Sequence, residues 1–202
     1  WKSIRSIVLG RQVTAEDLKR WSQGFTFCSS PSFGLRQSEG GPCGVLAAVQ
    51  AEIIFNLFFA PGATTPHADA STLEVQLPTL EKTDAESLLV KSLIVILTRA
   101  RDQGQHDGST SSAFTLLDFV SGPETDDLSS LLFTHAPGSA NEAPPGCITT
   151  VTLADEAALL DHMYSHLPLL TGPSGVLCFL ISVVLTHGVQ KTKDDMDDIE
   201  NT

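Results

Sequence analysis

The stretch Phe33–Phe58, FGLRQSEGGPCGVLAAVQAEIIFNLF, decides how this chain is read, because in it a loop rich in Gly and Pro delivers one cysteine to the start of an apolar helix. Gly40, Gly41 and Pro42 mark a tight turn, and Val45, Leu46, Val49, Ile53, Ile54, Leu57 and Phe58 then recur at helical spacing. Cys43 is therefore expected at a helix N-terminus. Unpaired backbone N–H groups and the positive end of the helix dipole stabilise an anion there, and the thiolate is the form in which a cysteine acts as nucleophile.

Six residues upstream stands Gln37, whose side-chain amide carries two N–H donors. When a thiolate attacks a carbonyl, negative charge develops on the oxygen. A side-chain N–H together with a backbone N–H at the helix start stabilises that charge as an oxyanion hole. The spacing of Gln, five residues, Cys and helix is similar to that of papain-like thiol hydrolases, which gives a class and not a substrate. The competing reading of Cys43 is a small buried hydrophobe opening an apolar helix.

The run GLRQSEGGPCGVLAAVQA, residues 34–51, resembles the active-site segment of the MINDY deubiquitinases, in particular the branch with the pattern G-x-x-Q-x-x-G-G-P-C-G-V-L-A-A-V-Q; every fixed position of it is present. The resemblance extends more weakly over most of the chain. An upstream helix and a GFTF segment precede the motif, and GVLCFLISVVLTHGV followed by DDMDD resembles a later helix and acidic stretch of the same family. It implies that Cys43 attacks an isopeptide bond at a ubiquitin C-terminus, that Gln37 builds the oxyanion hole, and that a downstream histidine activates the cysteine. In the family that histidine lies on a strand of alternating apolar residues, beyond the point corresponding to the end of this chain. Residues 1–202 are thus expected to be a fragment: the N-terminal part of a single α+β, papain-like catalytic domain, incomplete at the C-terminus. The implied partners are ubiquitin and polyubiquitin chains, with lysine-48 linkage carried over by resemblance alone. Without a base a thiol is mostly protonated at neutral pH and the leaving amine lacks a proton donor, so little or no hydrolysis by this chain alone is expected. A non-catalytic ubiquitin-binding or protein-interaction module is the alternative.

Composition agrees with one soluble globular domain: 202 residues, 42% hydrophobic, mean hydropathy +0.09. Twelve basic against 24 acidic residues leave a net charge of −12, which disfavours nucleic acid or an anionic membrane as partner. Cys28, Cys43, Cys147 and Cys178 are widely spaced, form no C-x-x-C pair and indicate neither a zinc site nor a disulfide framework; reduced thiols in cytosol or nucleus fit them. The chain opens at Trp1 with no basic-then-apolar signal sequence, as expected of a fragment. No cofactor is implied.

Along the chain, the segment to Gly10 is amphipathic, and Thr14 to Asp17 has capping-box spacing for a short helix through Trp21. Phe25 and Phe27 alternate as a short strand, with Cys28 structural. Flexible loops are expected near 61–78, with a short strand about 73–77, and near 102–112 and 135–147. Between them, Thr83 and Glu86 form a second capping box for a scaffold helix whose Arg99 and Arg101 favour its C-terminal dipole. Phe114 to Phe119 resumes a buried element, Asp126 to Phe133 forms a helical turn or two, and Thr149 to Leu153 alternates as a strand.

His162 and His166, four apart on a helix expected over 155–167, share one face as paired metal ligands do. Met163 replaces the glutamate of H-E-x-x-H and no third ligand is evident, so the ordinary helix face is preferred. Gly172 to Gly175 lacks G-x-S-x-G spacing and reads as a turn. Val176 to Thr186 is the most hydrophobic run, but at about eleven residues it is short of the roughly 20 that span a bilayer, and it reads as a buried core helix closed by Gly188. His187 beside it is expected to cap that helix and not to serve Cys43 as base, while His67 and His106 lie in loops without evident partners. Asp194 to Glu200 is expected to be a solvated acidic run.

Overall fold

The computed structural model describes residues 2–10, 13–61, 79–104, 113–119, 138–139 and 148–200. Its helices and strands are α1 (Lys2–Leu9), α2 (Ala15–Trp21), β1 (Thr26–Phe27), β2 (Leu35–Arg36), α3 (Cys43–Phe58) and α4 (Lys82–Gly104), then β3 (Phe114–Phe119), β4 (Gly138–Ser139), β5 (Ile148–Leu153), α5 (Glu156–Ser165), α6 (Leu167–Thr171), α7 (Gly175–His187) and α8 (Val189–Glu200). Helices and small sheets are segregated along the chain, an α+β arrangement.

Local chemistry sets most of the boundaries. The Thr14 hydroxyl accepts from Asp17 N–H while Asp17 accepts from Thr14 N–H, the reciprocal capping box expected for α2. Asp155 caps α5 by accepting from Ala158 N–H at 2.8 Å. The second expected capping box does not form: Ala85 N–H already donates to Glu81 carbonyl, so α4 begins before Thr83 can act as a cap. At its other end α4 runs through Gly104, absorbing the first residues of the loop expected near 102–112. Arg99 consequently lies short of the last turn while Arg101 stays in it as expected, and both make contacts beyond the helix. Arg99 pairs with Glu52 on α3, and Arg101 pairs with Asp102 and stacks over Phe114, 4.6 Å from the ring centroid.

Leu46, Val49, Ile53 and Leu57 of α3 are buried against α4, whose own buried series is Ala85, Leu89, Leu93, Leu97 and Ala100. Both series step by three and four residues, the spacing of one helix face. Ile54, expected on that face, is 36% exposed, because it follows Ile53 by 100° around the helix. α4 also packs on α7, which carries no Asp, Glu, Lys or Arg and is buried at Val176, Leu177, Cys178, Phe179, Ile181 and Val184. The expected core helix is thus present, and Gly188 closes it at φ +100°, a conformation that favours glycine.

The larger sheet has the order β3-β5-β4, with β3 antiparallel to β5 from Phe114↔Leu153 to Phe119↔Ile148. Gly138 and Ser139, expected in a flexible insertion, instead pair in parallel with Thr149 and Thr150. On the opposite edge of β3, α7 satisfies the strand with side chains. Leu117 N–H donates to the Ser182 hydroxyl, and Thr186 both accepts from Thr115 N–H and donates to Thr115 carbonyl. Hydroxyls four residues apart on a helix thereby stand in for a missing neighbouring strand. The acidic run is helical, as part of α8, with Asp194, Asp197 and Asp198 exposed as expected, while Asp195 accepts from Lys191 and pairs with His187.

Among the described residues no single helix is long and apolar enough to cross a membrane; Gly175–His187 and the helix after it are bent by 92°. Residues 62–78 of the loop and strand expected near 61–78, residues 105–112 with His106, the turns about 126–133, and His67, His135 and Cys147 lie outside the described residues.

Candidate active site

The loop from Gln37 to Pro42 joins β2 to α3, and two glutamines hold it and the strand before it. β2 pairs with β1 through Thr26↔Arg36 and Phe27↔Leu35, and Cys28 N–H donates to Gly34 carbonyl at 2.7 Å. From α3, Gln50 accepts from Leu35 N–H at 2.5 Å and donates to Phe33 carbonyl at 3.2 Å, so the helix that begins with Cys43 fixes the strand that leads to it. From the end of α2, the buried Gln23 accepts from Ser38 N–H at 3.1 Å and donates to Glu39 carbonyl at 3.0 Å and Arg20 carbonyl at 2.6 Å. Its own carbonyl accepts from Val176 N–H, tying the loop to the start of α7.

At the tip, Gly41 has φ +132° and a Cβ there would stand 3.3 Å from Arg20 Cβ, so the turn needs glycine on two counts. Pro42 is buried, and its carbonyl accepts from Leu46 N–H as the first hydrogen bond of the helix. The N–H groups of the first turn consequently have no acceptor within α3. Cys43 opens that turn, is exposed, and its sulfur lies 3.7 Å from Gly41 carbonyl. The burial expected of a packing cysteine belongs instead to Cys178, whose thiol burial pushes up to about 12. Cys28 is half-buried and, like the other two, free.

Gln37 is exposed in the same loop and its amide donates to Glu39 carbonyl at 2.9 Å. No hydrogen bond joins Gln37 to Cys43. Nor, among the described residues, does any histidine hydrogen-bond the sulfur. His187 Nδ1 is 3.0 Å from Ala100 carbonyl and Nε2 is 2.8 Å from Asp195, so both ring nitrogens are engaged at the junction of α4, α7 and α8. His162 of α5 and His166, which caps its C-terminal end, stack at 3.9 Å between centroids, with Asp118 of β3 at 2.9 Å from His166 Nε2.

Sequence reasoning singled out neither Gln23 nor Gln50 as positioning groups. Gln50 carried a signal, as the last position of the glutamine-cysteine motif; Gln23 carried none, since its partners are backbone groups 15 and 16 residues away. Asp118 was missed as a neighbour of the paired histidines because a sheet, not a helix turn, brings it to them.

Chemically, the arrangement is an exposed thiol at the positive end of a 16-residue helix, behind a glycine turn, with an amide donor in the adjoining loop. The family profile described as "Deubiquitinating enzyme MINDY-3/4, conserved domain" matches residues 5–202. The chain is similar to ubiquitin carboxyl-terminal hydrolase MINDY-3 of Danio rerio, 29% identical with 98% of this chain and 45% of that protein covered. It is also similar to MINDY-3 of Homo sapiens, 30% identical over 89% of this chain and 40% of that protein. The probable ubiquitin carboxyl-terminal hydrolase MINDY-4 of Mus musculus is 24% identical over 97% of this chain and 24% of that protein. No solved structure matches at comparable significance. The chain spans less than half the length of these relatives. With the glutamine-cysteine loop intact and the profile covering all but the first four residues, the chain belongs to the MINDY-3/4 family of deubiquitinating enzymes.

Proposed function

We propose that residues 1–202 carry the nucleophile of a thiol-dependent deubiquitinase, part of a single papain-like catalytic domain that hydrolyses isopeptide bonds in lysine-48-linked polyubiquitin. The observation that carries this reading is the exposed Cys43 at the first turn of α3. In the reaction, the Cys43 thiolate attacks the carbonyl carbon of the ubiquitin C-terminal glycine, and the carbonyl π pair moves onto oxygen. Gln37 and first-turn N–H groups of α3 stabilise that oxygen, for which the Gln37 amide must exchange Glu39 carbonyl for the substrate. Collapse expels the lysine amine, which takes up a proton, and water then hydrolyses the thioester. The proton carrier is a histidine on a downstream strand of the longer protein; residues 1–202 alone turn over little or no substrate. The net charge of −12 suits a basic protein partner and disfavours nucleic acid, and a cytoplasmic or nuclear setting keeps the thiol reduced.

A ubiquitin-binding module without turnover is the second reading, favoured by the engagement of all three described histidine rings away from Cys43. A ubiquitin probe with a thiol-reactive C-terminus separates the two. Labelling is expected in the wild type and lost in Cys43→Ala, and Gln37→Ala in the longer protein is expected to lower turnover by about 10²–10³-fold. If neither this chain nor the longer protein labels at Cys43, the hydrolase reading falls and the binding module stands.

A further inference from the structure

Away from the Cys43 loop, three side chains with metal-binding atoms converge where the larger sheet meets α5. His162 of α5 and His166, the residue that caps its end, stand four residues apart and Asp118 reaches them from β3, so that one ligand atom from each lies within 4.8 Å of the others. We propose that Asp118, His162 and His166 bind a divalent first-row transition ion, zinc before the others, with water in the fourth position.

Hydrogen bonding prepares His166 for this. Its Nδ1 lies 2.8 Å from His162 carbonyl, which can only accept, so Nδ1 carries a proton and Nε2 is directed at Asp118 Oδ1, 2.9 Å away. A metal-binding imidazole is oriented in the same way, one ring N–H donated to a backbone carbonyl and the other nitrogen facing the ion. Without a cation, His166 Nε2 pairs with Asp118 Oδ1 alone. This leaves out His162. Among the described residues its ring nitrogens make no hydrogen bond, and the ring stacks on its neighbour. One ion satisfies all three groups at once.

The donor set selects the class of ion: two imidazoles and a carboxylate suit zinc, cobalt or nickel, whereas magnesium and calcium prefer oxygen throughout. Ligand atoms around a tetrahedral zinc stand roughly 3.3 Å apart, given bonds of about 2.0 Å, so the cluster must draw in by an ångström or so. The adjoining cavity measures about 20 Å³, room for one ion or water; His162 and His166 line it among mostly apolar side chains such as Leu116, Leu170 and Phe179, and Asp118 is not in its lining. Cys178 lies outside the cluster and is not a ligand. The ion would add His162 to the link between β3 and the C-terminal end of α5 that Asp118 and His166 already make.

The test uses the tag-free chain, stripped with a chelator and titrated with Co²⁺, then Zn²⁺. One equivalent of Co²⁺ is expected to give the visible absorption of low-symmetry nitrogen and oxygen coordination, to be displaced by Zn²⁺, and Zn²⁺ should raise the melting temperature. His162→Ala and Asp118→Ala should weaken binding roughly tenfold or more, since even the outer partners of metal ligands are worth that much. His187→Ala, outside the cluster, should leave it unchanged. Absence of saturable Co²⁺ absorption and of a Zn²⁺ shift in the wild type overturns the proposal and leaves a proton-bridged ion pair, as does unchanged binding in a folded His162→Ala. The wild-type titration decides the matter even if a variant does not fold.

Discussion

At the scale of single residues, the Cys43 loop depends on side chains that take no part in the proposed chemistry. Gln23 is 5% exposed and meets Ser38 N–H and the carbonyls of Arg20 and Glu39 with one amide group, so a single substitution unpairs three backbone groups. Gln23→Ala is expected to destabilise the chain by about 1–3 kcal/mol, the usual cost of leaving such groups unmet, with water at the exposed loop limiting the loss. Urea unfolding measures that cost. Labelling of Cys43 by the ubiquitin probe should slow in the same variant without any change to the thiol itself. An unchanged midpoint and labelling rate would mean that the loop holds its shape without Gln23.

Between elements, α3 and α4 are joined by a polar seam set in an apolar interface. Glu52 accepts from Arg99, and Asn56 donates to Glu52 and to the Ser92 hydroxyl, which in turn donates to Leu88 carbonyl. The pair is lopsided: the Glu52 side chain is 8% exposed and that of Arg99 57%. Removing the arginine strands a buried carboxylate, whereas its own desolvation was slight. Arg99→Ala should therefore cost about 1–2 kcal/mol, below the range for fully buried pairs because solvent screens the half-exposed guanidinium. Adding Glu52→Gln should recover part of the loss, and a double-mutant cycle by chemical denaturation reads the coupling directly. Additive effects would show that the pair contributes nothing.

For the whole molecule, the last helix is fastened by charge. Asp195 accepts from Lys191 and pairs with His187, and these hydrogen bonds hold its carboxyl below the ordinary 3.8. A depressed carboxyl contributes stability at pH values above its unfolded value and loses that contribution as pH falls through its folded one. Denaturation midpoints should accordingly fall as pH drops below about 4, the ordinary carboxylate range. Asp195→Asn should be less stable than the wild type at pH 7, with the gap narrowing in acid. A gap that persists undiminished at the lowest pH would assign the role of Asp195 to packing and not to charge.

Much of this molecule follows from local sequence. The capping box at Thr14, the helix opening at Cys43, the apolar run closed by Gly188 and the alternation of β5 all rest on interactions within a few residues, where spacing and chemistry suffice. The motif around Gln37 and Cys43 likewise declares the family. What only tertiary structure decided are the partners that come from far along the chain. Arg99 faces Glu52 and not its own helix end, Ser182 and Thr186 complete the edge of β3, Gln23 clamps the loop before Cys43, and Asp118 joins the paired histidines. Each of these is a polar group whose partner is set by the packing of other elements, so the residue type announces a need for a hydrogen bond and the fold alone supplies the acceptor or donor.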